Sequence, residues 1–365
     1  MNTSDPRPGI MNVMDFGAKG DGVADDTQAI QSAINFATER GGGKIFFPYT
    51  RTGYRIASPG IEELDGKPLR AQLYIPPGRR QNIQLEGEMP CMLLYAYQLK
   101  TDAIPTYFRE KTESMNTFLF SDWHAPEEHD PKARPWTILA APEGTSLKGH
   151  FSCSMFSIAN LEFRVPLDRE KMYPTQGCVN LQNVARVNIQ DSQFCLNESV
   201  GDTSLGKELQ HNPCHTVGLM TSGDQNDDNI LRNVAVQGFR YGFVFGEHVI
   251  AEYLYVHNCE EGIVFHDSSH ISSLNSVVAQ HNTRVLSTTT TELFGHQKGP
   301  CAVLVGSLNI ENGYLSDPKI HHLEYAVYDP ENRLIGSLRW FLPMWQKDYE
   351  KFPVCCAKNY KISYI

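Results

Sequence analysis

An all-β solenoid, a parallel β-helix wound from one chain, is the fold class this sequence predicts. Three observations predict it. Two stretches, 242–261 and 262–281, align at a shift of twenty residues, Val244 meeting Val264 and Phe245 meeting Phe265. Short alternating apolar runs recur with polar turns between them, as one strand-rich repeat per turn of a solenoid requires. A single amphipathic helix pattern stands near the start and is stopped by three glycines.

That start is "MDFGAKGDGVADDTQAIQSAINFATERGGGKIFFPYTRTGYRI", residues 14–56. It lacks the G-x-x-x-x-G-K-[ST] frame of a phosphate loop and the alternating oxygen ligands of a calcium loop. Asp25 or Asp26 suits the free amides of a helix start, and Asp25 with Gln28 has capping-box spacing. Ala29, Ile30, Ala33, Ile34 and Ala37 follow on one helical face. Gly41, Gly42 and Gly43 end the helix, because glycine tolerates the left-handed conformation. Ile45, Phe46 and Phe47 read as a short strand closed by Pro48, and Tyr54-Arg55-Ile56 begins the next.

Further on, 177–194, 215–242 and 301–317 repeat the same strand, turn and strand form. The L-x-x-L-x-L frame of leucine-rich repeats is missing. Segments 57–81, 98–140, 164–176, 198–214 and 283–299 are too long for turns, and binding surfaces are expected on such excursions. Residues 320–365 break the repeat and are rich in aromatics. They read as a C-terminal cap or a subunit edge, with "KISYI" as a final strand. The division is one domain over 1–365: a cap and first strands at 12–56, coils at 57–319, and the aromatic cap at 320–365.

Composition narrows the function classes. The 365 residues are 41% hydrophobic and 20% charged, with a net charge of −10. This excess of acid argues against nucleic acid as the partner. No apolar run reaches the length of a membrane-spanning helix. No leader is visible in "MNTSDPRPGI", so the expected location is cytoplasmic, or extracellular or periplasmic if a leader has been removed. Nine cysteines without a C-x-x-C pair give no zinc or redox spacing. Cys178, Cys195, Cys214, Cys259 and Cys301 lie in or beside apolar runs and are expected as small core residues.

The N-terminal stretch, with GGGKIFFP and YRI, resembles the signature of the pectate-lyase-like superfamily of right-handed parallel β-helices. That group includes polygalacturonase-like glycosidases, β-1,3-glucanases, alginate epimerases and phage tailspikes. The resemblance covers about 45 residues. It implies a right-handed, single-stranded β-helix whose N-terminal helix caps the open N-terminal end. It also implies a carbohydrate as partner and, from the tailspike-like members, a homo-oligomer such as a trimer. The polygalacturonase set N-T-D, D-D, G-H-G and R-I-K is missing except for Asp227-Asp228, and so are R-x-P-x-x-R and D-P-H-E.

Candidate chemistry follows from stacking. Strands of successive coils lie about 4.8 Å apart. Glu247 and Asp267 follow matched strands at one offset, so their carboxylates are expected about 5 Å apart, the span of a retaining glycosidase pair. Asp224, Asp227 and Asp228 occupy the preceding turn, and His266 adjoins the pair. Against this stands the ordinary solvated turn, whose acids bind only their own backbone. His211 and His215 flank the 198–214 segment and are candidates for proton transfer or substrate contact. Trp123 and Trp136 bracket another segment, either as sugar platforms or as buried anchors. The resulting expectation is a glycoside hydrolase with paired carboxylates on a polysaccharide or oligosaccharide. The alternatives are a lyase or epimerase on uronates, with calcium at the Asp224–Asp228 turn, and a non-catalytic tailspike-like or surface binding β-helix. Outside the lyase case no cofactor or metal is expected.

Overall fold

The computed structural model describes residues 9–77, 82–89, 116–127, 130, 133–142, 155–168, 170–171, 173–182, 184–197, 212–221, 228–246, 248–265, 272–280, 282–287, 303–311, 325–328, 334–338 and 361–364. The chain begins with a strand (Ile10–Asn12), a 3-10 turn (Val13–Phe16) and one α-helix, α1 (Thr27–Glu39). Ile30, Ala33, Ile34 and Ala37 are fully buried, and α1 packs them on the strands Gly42–Phe47 and Lys67–Tyr74. Gln31 extends this contact as a strand would. Its amide donates to Tyr74 O and its carbonyl accepts from Tyr74 N, both at 2.9 Å.

The helix start differs from the capping box expected of Asp25 and Gln28. Asp26 holds the N-cap position without a side-chain cap, because its carboxylate turns back to accept from Lys19 N at 2.6 Å and Gly20 N at 3.0 Å. Asp25 does the capping, accepting from Thr27 N at 3.1 Å, and reaches across to Ala57 N at 3.1 Å and Ser58 Oγ at 2.6 Å. Gln28 instead donates to Ser32 at 3.4 Å. The two carboxylates therefore tie the glycine-rich loop and the first strand turn to the helix. At the other end Gly42 has φ of 130°, and a Cβ there would meet Asn82 O at 2.3 Å, so only glycine lets the next strand approach.

The remainder is mostly parallel β structure. Two sheets run the length of the described residues, thirteen-stranded and eight-stranded, and from Val187–Leu196 to Val303–Glu311 the described strands alternate between them. The larger sheet stacks Asn82–Gly87, Met155–Ala159, Val187–Leu196, Asn229–Gln237, Val249–His257, Ser272–Gln280 and Val303–Glu311. The smaller one stacks Thr137–Ala140, Gly177–Asn180, Val217–Met220, Tyr241–Phe245, Glu261–Phe265 and Arg284–Ser287.

The strands Val187–Leu196, Asn229–Gln237 and Val249–His257 each bend once, and the same bend separates Met155–Ala159 from Glu162–Val165. Asn160, Asp191, Asn233 and Tyr253 occupy the bend with φ of 56°, 47°, 57° and 61°, and the bend splits the strand into an upstream and a downstream arm. Asn and Asp take the left-handed conformation at low cost, and Asn233 donates to Asp191 at 2.6 Å across one repeat. Tyrosine pays more there. Successive downstream arms pair in register, Glu162 with Gln193, Gln193 with Ala235 and Ala235 with Tyr255.

The core lies between the sheets and stacks like on like, as with Phe243 and Phe245 at 5.3 Å and Phe245 and Phe265 at 5.8 Å. Every described strand residue of Val217–Met220 and Tyr241–Phe245 is buried, so both faces of the smaller sheet are covered. The expected register holds where the sequence alignment begins: Val244 pairs with Val264 and Phe245 with Phe265. It then slips. Ile250 pairs with Ser273, twenty-three residues on, because the turn after Phe265 is longer than the turn after Phe245. In the C-terminal region, Lys361–Tyr364 joins Val303–Glu311 in parallel as the last strand, and Tyr325–Tyr328 with Leu334–Leu338 forms an antiparallel hairpin. Most of the 320–365 cap lies outside the described residues.

Candidate functional site

Alternation along the downstream arms decides the site. Leu119, Phe163, Phe194, Val234, Val236, Leu254, Val256, Val277 and Ala279 enter the main core. Their neighbours point the other way. One row is Phe118, Glu162, Gln193, Ala235, Tyr255 and Val278; the next is Phe120, Arg164, Cys195, Gln237, His257 and Gln280. An outward face of a sheet is normally polar and wet. This one is polar and buried: Glu162 and Gln193 are 1% exposed, and Gln237 and His257 4%.

At its N-terminal end sits an ion pair. Arg164 donates to both Glu162 oxygens, Nε at 2.8 Å and Nη2 at 3.1 Å, and lies 3.9 Å over the Phe118 ring. Asn116 Nδ2 donates to Glu162 at 2.8 Å and Cys195 Sγ at 3.2 Å. Burial alone pushes the Glu162 carboxyl up, but the Arg164 charge and these donors outweigh it and hold the group below the ordinary carboxylate value. Burial, then the Glu162 charge, raises the Cys195 thiol well above its usual value. Cys195 is therefore a neutral donor. Cys178, Cys195, Cys214 and Cys259 are buried and free, as expected, and Cys301 lies outside the described residues.

Further along, His257 stands in register between Gln237 and Gln280. Tyr255, two residues before it on the same face, packs its ring 5.8 Å from the imidazole and donates to Gln280 Oε1 at 2.9 Å. Gln237 Oε1 is buried without a hydrogen-bond partner, and so are both amide atoms of Asn258 beside His257. Each such group costs about 1–3 kcal/mol, which a fold rarely tolerates without a use for it.

A shallow crevice lies where the downstream arms turn into the smaller sheet, between 133–136, Thr175 and 214–216. Here His215 stacks parallel to Tyr241 at 6.2 Å and 8°, its Nδ1 3.5 Å from the phenol. Arg240 lies 5.3 Å over Tyr241 and pairs with Glu260 at 3.5 Å. Trp136 is 6% exposed and meets Trp123 edge-on at 5.2 Å, so the two tryptophans brace one wall. Gln176 clamps that wall, donating to Ser121 Oγ at 2.7 Å and Trp123 O at 2.9 Å. Lys171 joins Glu127 at 2.6 Å and Asp168 at 3.2 Å, linking the two neighbouring segments.

Of the residues expected from sequence, Glu247, Asp267, His266, Asp224, Asp227 and His211 lie outside the described residues. Asp228 is described: it is 62% exposed and lies 3.4 Å from Arg186. It follows the strand Val217–Met220, whereas His215 precedes it, so Asp228 and the crevice stand at opposite ends of that strand. The slip from twenty to twenty-three residues falls within the turn that carries Asp267, so equal offsets from Phe245 and Phe265 no longer imply equal positions. Among the described residues no three His, Cys, Asp or Glu side chains converge as a metal would require. Sequence reading missed Glu162, Arg164, Tyr255 and His257. Their signal was an apolar–polar pair closing each downstream arm: Phe163-Arg164, Phe194-Cys195, Val236-Gln237, Val256-His257 and Ala279-Gln280.

Residues 10–62 match the family model described as rhamnogalacturonase A/epimerase, pectate lyase-like. The N-terminal segment carries the pectate-lyase-like signature. Alginate lyase 7 of Azotobacter vinelandii is 54% identical over 55 residues, 15% of this chain and 6% of that protein. Mannuronan C5-epimerase AlgE5 of the same organism is 49% identical over 65 residues, 18% of this chain and 6% of that protein. The matched stretches thus span a small part of these relatives, and the matched family segment contains none of the outward-face or crevice residues named above. Among solved structures, the A-module of mannuronan C-5 epimerase AlgE4 from Azotobacter vinelandii is similar at TM-score 0.46 and 15% identity, over 83% of this chain and 70% of that one. The catalytic unit of a GH87 alpha-1,3-glucanase from Streptomyces thermodiastaticus gives 0.41 and 13%, over 85% and 47%. Neither score carries a residue across.

Proposed function

We propose that the protein is a carbohydrate-active enzyme of the lyase or epimerase kind, acting on a polymer of uronates. The observation that carries this is His257, held between Gln237 and Gln280 on a buried polar face with Tyr255 beside it. The chemistry needs a base to take the proton on the carbon next to the sugar carboxylate. It also needs donors that spread the resulting negative charge, and an acid on the far side. An imidazole titrates near neutral pH and serves as the base. Amides on the flanking strands, each about 4.8 Å away, donate to the carboxylate. The Tyr255 phenol, on the same face as His257, protonates the departing glycosidic oxygen when the sugar is eliminated. Returning the proton to the opposite face inverts the carbon; expelling the glycosidic oxygen instead leaves an unsaturated sugar. The names of the two Azotobacter vinelandii relatives support uronates over neutral sugars. Hydrolysis by Glu247 and Asp267 has less support, because their two turns differ in length.

We also infer that the repeats form one domain over 1–365, winding as a right-handed parallel β-helix with α1 closing its N-terminal end. Parallel crossover connections are right-handed in about 98% of cases. The test is incubation with alginate, polymannuronate and pectate in deuterated water. Unsaturated ends mark a lyase, and deuterium at the inverted carbon marks an epimerase. New reducing ends without either mark a hydrolase and reject the reading, as does binding with no turnover.

A further inference from the structure

We propose that the open face of the upstream arms is an interface with a second copy of this chain, closed by a two-fold axis between Asn229–Gln237 and Val249–His257. Alternation sets what this face carries. Leu231, Ala251 and Leu274 enter the core, so their neighbours stand outward. One outward row is Asn188, Ile230, Ile250 and Ser273, in register across successive strands. The next is Gln190, Arg232 and Glu252, with Asn275 following Leu274 on the strand after. Unlike the face of the downstream arms, this one is open to water. Ile250 is 48% exposed, the most exposed large apolar side chain in a strand among the described residues, and Ile230 beside it is half-buried. On one side of the two isoleucines Arg232 pairs with Glu252 at 2.9 Å, both more than half exposed. On the other side Arg186 pairs with Asp228 at 3.4 Å. An apolar centre with a charged rim is the pattern of a protein interface.

The face is complementary to itself. A two-fold axis lying in the face, parallel to the two strands and midway between them, sets each residue opposite its own register partner in the second copy. Ile230 then faces Ile250 of the second copy, and Ile250 faces its Ile230, so four isoleucine side chains leave water at the axis. Arg232 faces Glu252 of the second copy, and Glu252 faces its Arg232. The two ion pairs, one from each copy, become a square whose charges alternate along every edge. Around them Asn188 meets Ser273 and Gln190 meets Asn275, all neutral. Moving the axis onto either strand would set Arg232 against Arg232 or Glu252 against Glu252, so charge selects the position between them. The same symmetry stops the assembly at two copies.

Six strands of the larger sheet, from Met155–Ala159 to Val303–Glu311, flank this axis, three on each side. At about 4.8 Å per strand and about 3.3 Å per residue, their upstream arms present a footprint of roughly 400 Å². That is the scale of a transient interface, and half-association is expected near about 10–100 µM. The test is sedimentation of the full chain across that range. The mass should rise reversibly to twice that of the chain and no further. Ile250→Lys should weaken association at least about tenfold while the unfolding midpoint stays at the wild-type value. Arg232→Glu and Glu252→Arg should each do the same, because each sets like charges side by side and across the axis. The double exchange Arg232→Glu with Glu252→Arg restores the alternation and should bring association back to within a few-fold of wild type. A monomer at every concentration overturns the proposal, and so does growth beyond two copies. Association that survives Ile250→Lys, or that the double exchange fails to restore, overturns it as well. A monomer that still turns over uronates rejects this interface alone and leaves the His257 chemistry standing.

Discussion

The N-terminal helix region and the outward face of the downstream arms both gather polar groups out of water, yet they do it differently. Around α1, Asp25 and Asp26 accept from backbone amides and a hydroxyl of three separate segments, 19–20, Thr27 and 57–58. Burial would raise Asp25, but the hydrogen bonds from Ser58, Thr27 and Ala57 bring it down to about 2. On the outward face, Glu162 is matched by Arg164, while Gln237 and Asn258 keep atoms with no partner. A polar group that is fully satisfied explains itself by holding the fold. One left short at a cost of about 1–3 kcal/mol requires another reason, and a ligand supplies it.

The sharpest way to break this contrast is His257→Gln. It should cut turnover of a uronate polymer by about 10²–10⁴-fold, the usual worth of a general base, while the unfolding midpoint stays near wild type. Turnover within a factor of a few, measured on the same preparation, returns the outward face to a purely structural role. Next in size is Glu162→Gln, which leaves the Arg164 charge buried and unmatched. It should lower stability by about 3–5 kcal/mol in urea unfolding, whereas the pair Glu162→Leu with Arg164→Met should recover most of the loss.

Asp25→Ala should cost about 1–2 kcal/mol through the lost cap. The sign of its pH dependence is set by the depressed folded value. The Asp25 contribution is full above the unfolded carboxyl value near 3.9 and fades as pH falls toward about 2. The gap in urea midpoint between wild type and Asp25→Asn should therefore narrow across that window; a constant gap would mean that hydrogen bonding outlasts protonation. The smallest effect is expected at the bend. Tyr253→Asn replaces a strained residue at φ of 61° by the type found at positions 160 and 233, and should raise stability by about 1 kcal/mol, read as a higher Tm.

Much of the N-terminal region was legible because it is local: α1, its glycine stop and the strand Gly42–Phe47 follow from spacing within a few residues. The match of Val244 with Val264 was legible for the same reason, since the two repeats are contiguous. The longer turn before Ser272 was not, because side chains matching at a twenty-residue shift across it hide an insertion of three. The outward face was not legible because no short-range pattern marks it. Its residues are few per strand, one each from repeats that lie up to forty-two residues apart, as Asn188 and Ile230 do. Only the stacking brings them together. Asp191 and Asn233 advertise their bend by residue type, but Tyr253 does not.

The twenty-residue step between Asn229–Gln237 and Val249–His257 has a consequence for ancestry. A segment of that length, cut at the same point in each repeat, begins and ends on stacked positions. Duplicating it inserts a whole rung without disturbing its neighbours, since each repeat touches only the next. Every such event lengthens the polar row by about 4.8 Å. The number of sugars such a protein can span is then set by a count of copies in its gene, acquired in single steps, with the chemistry left where it was.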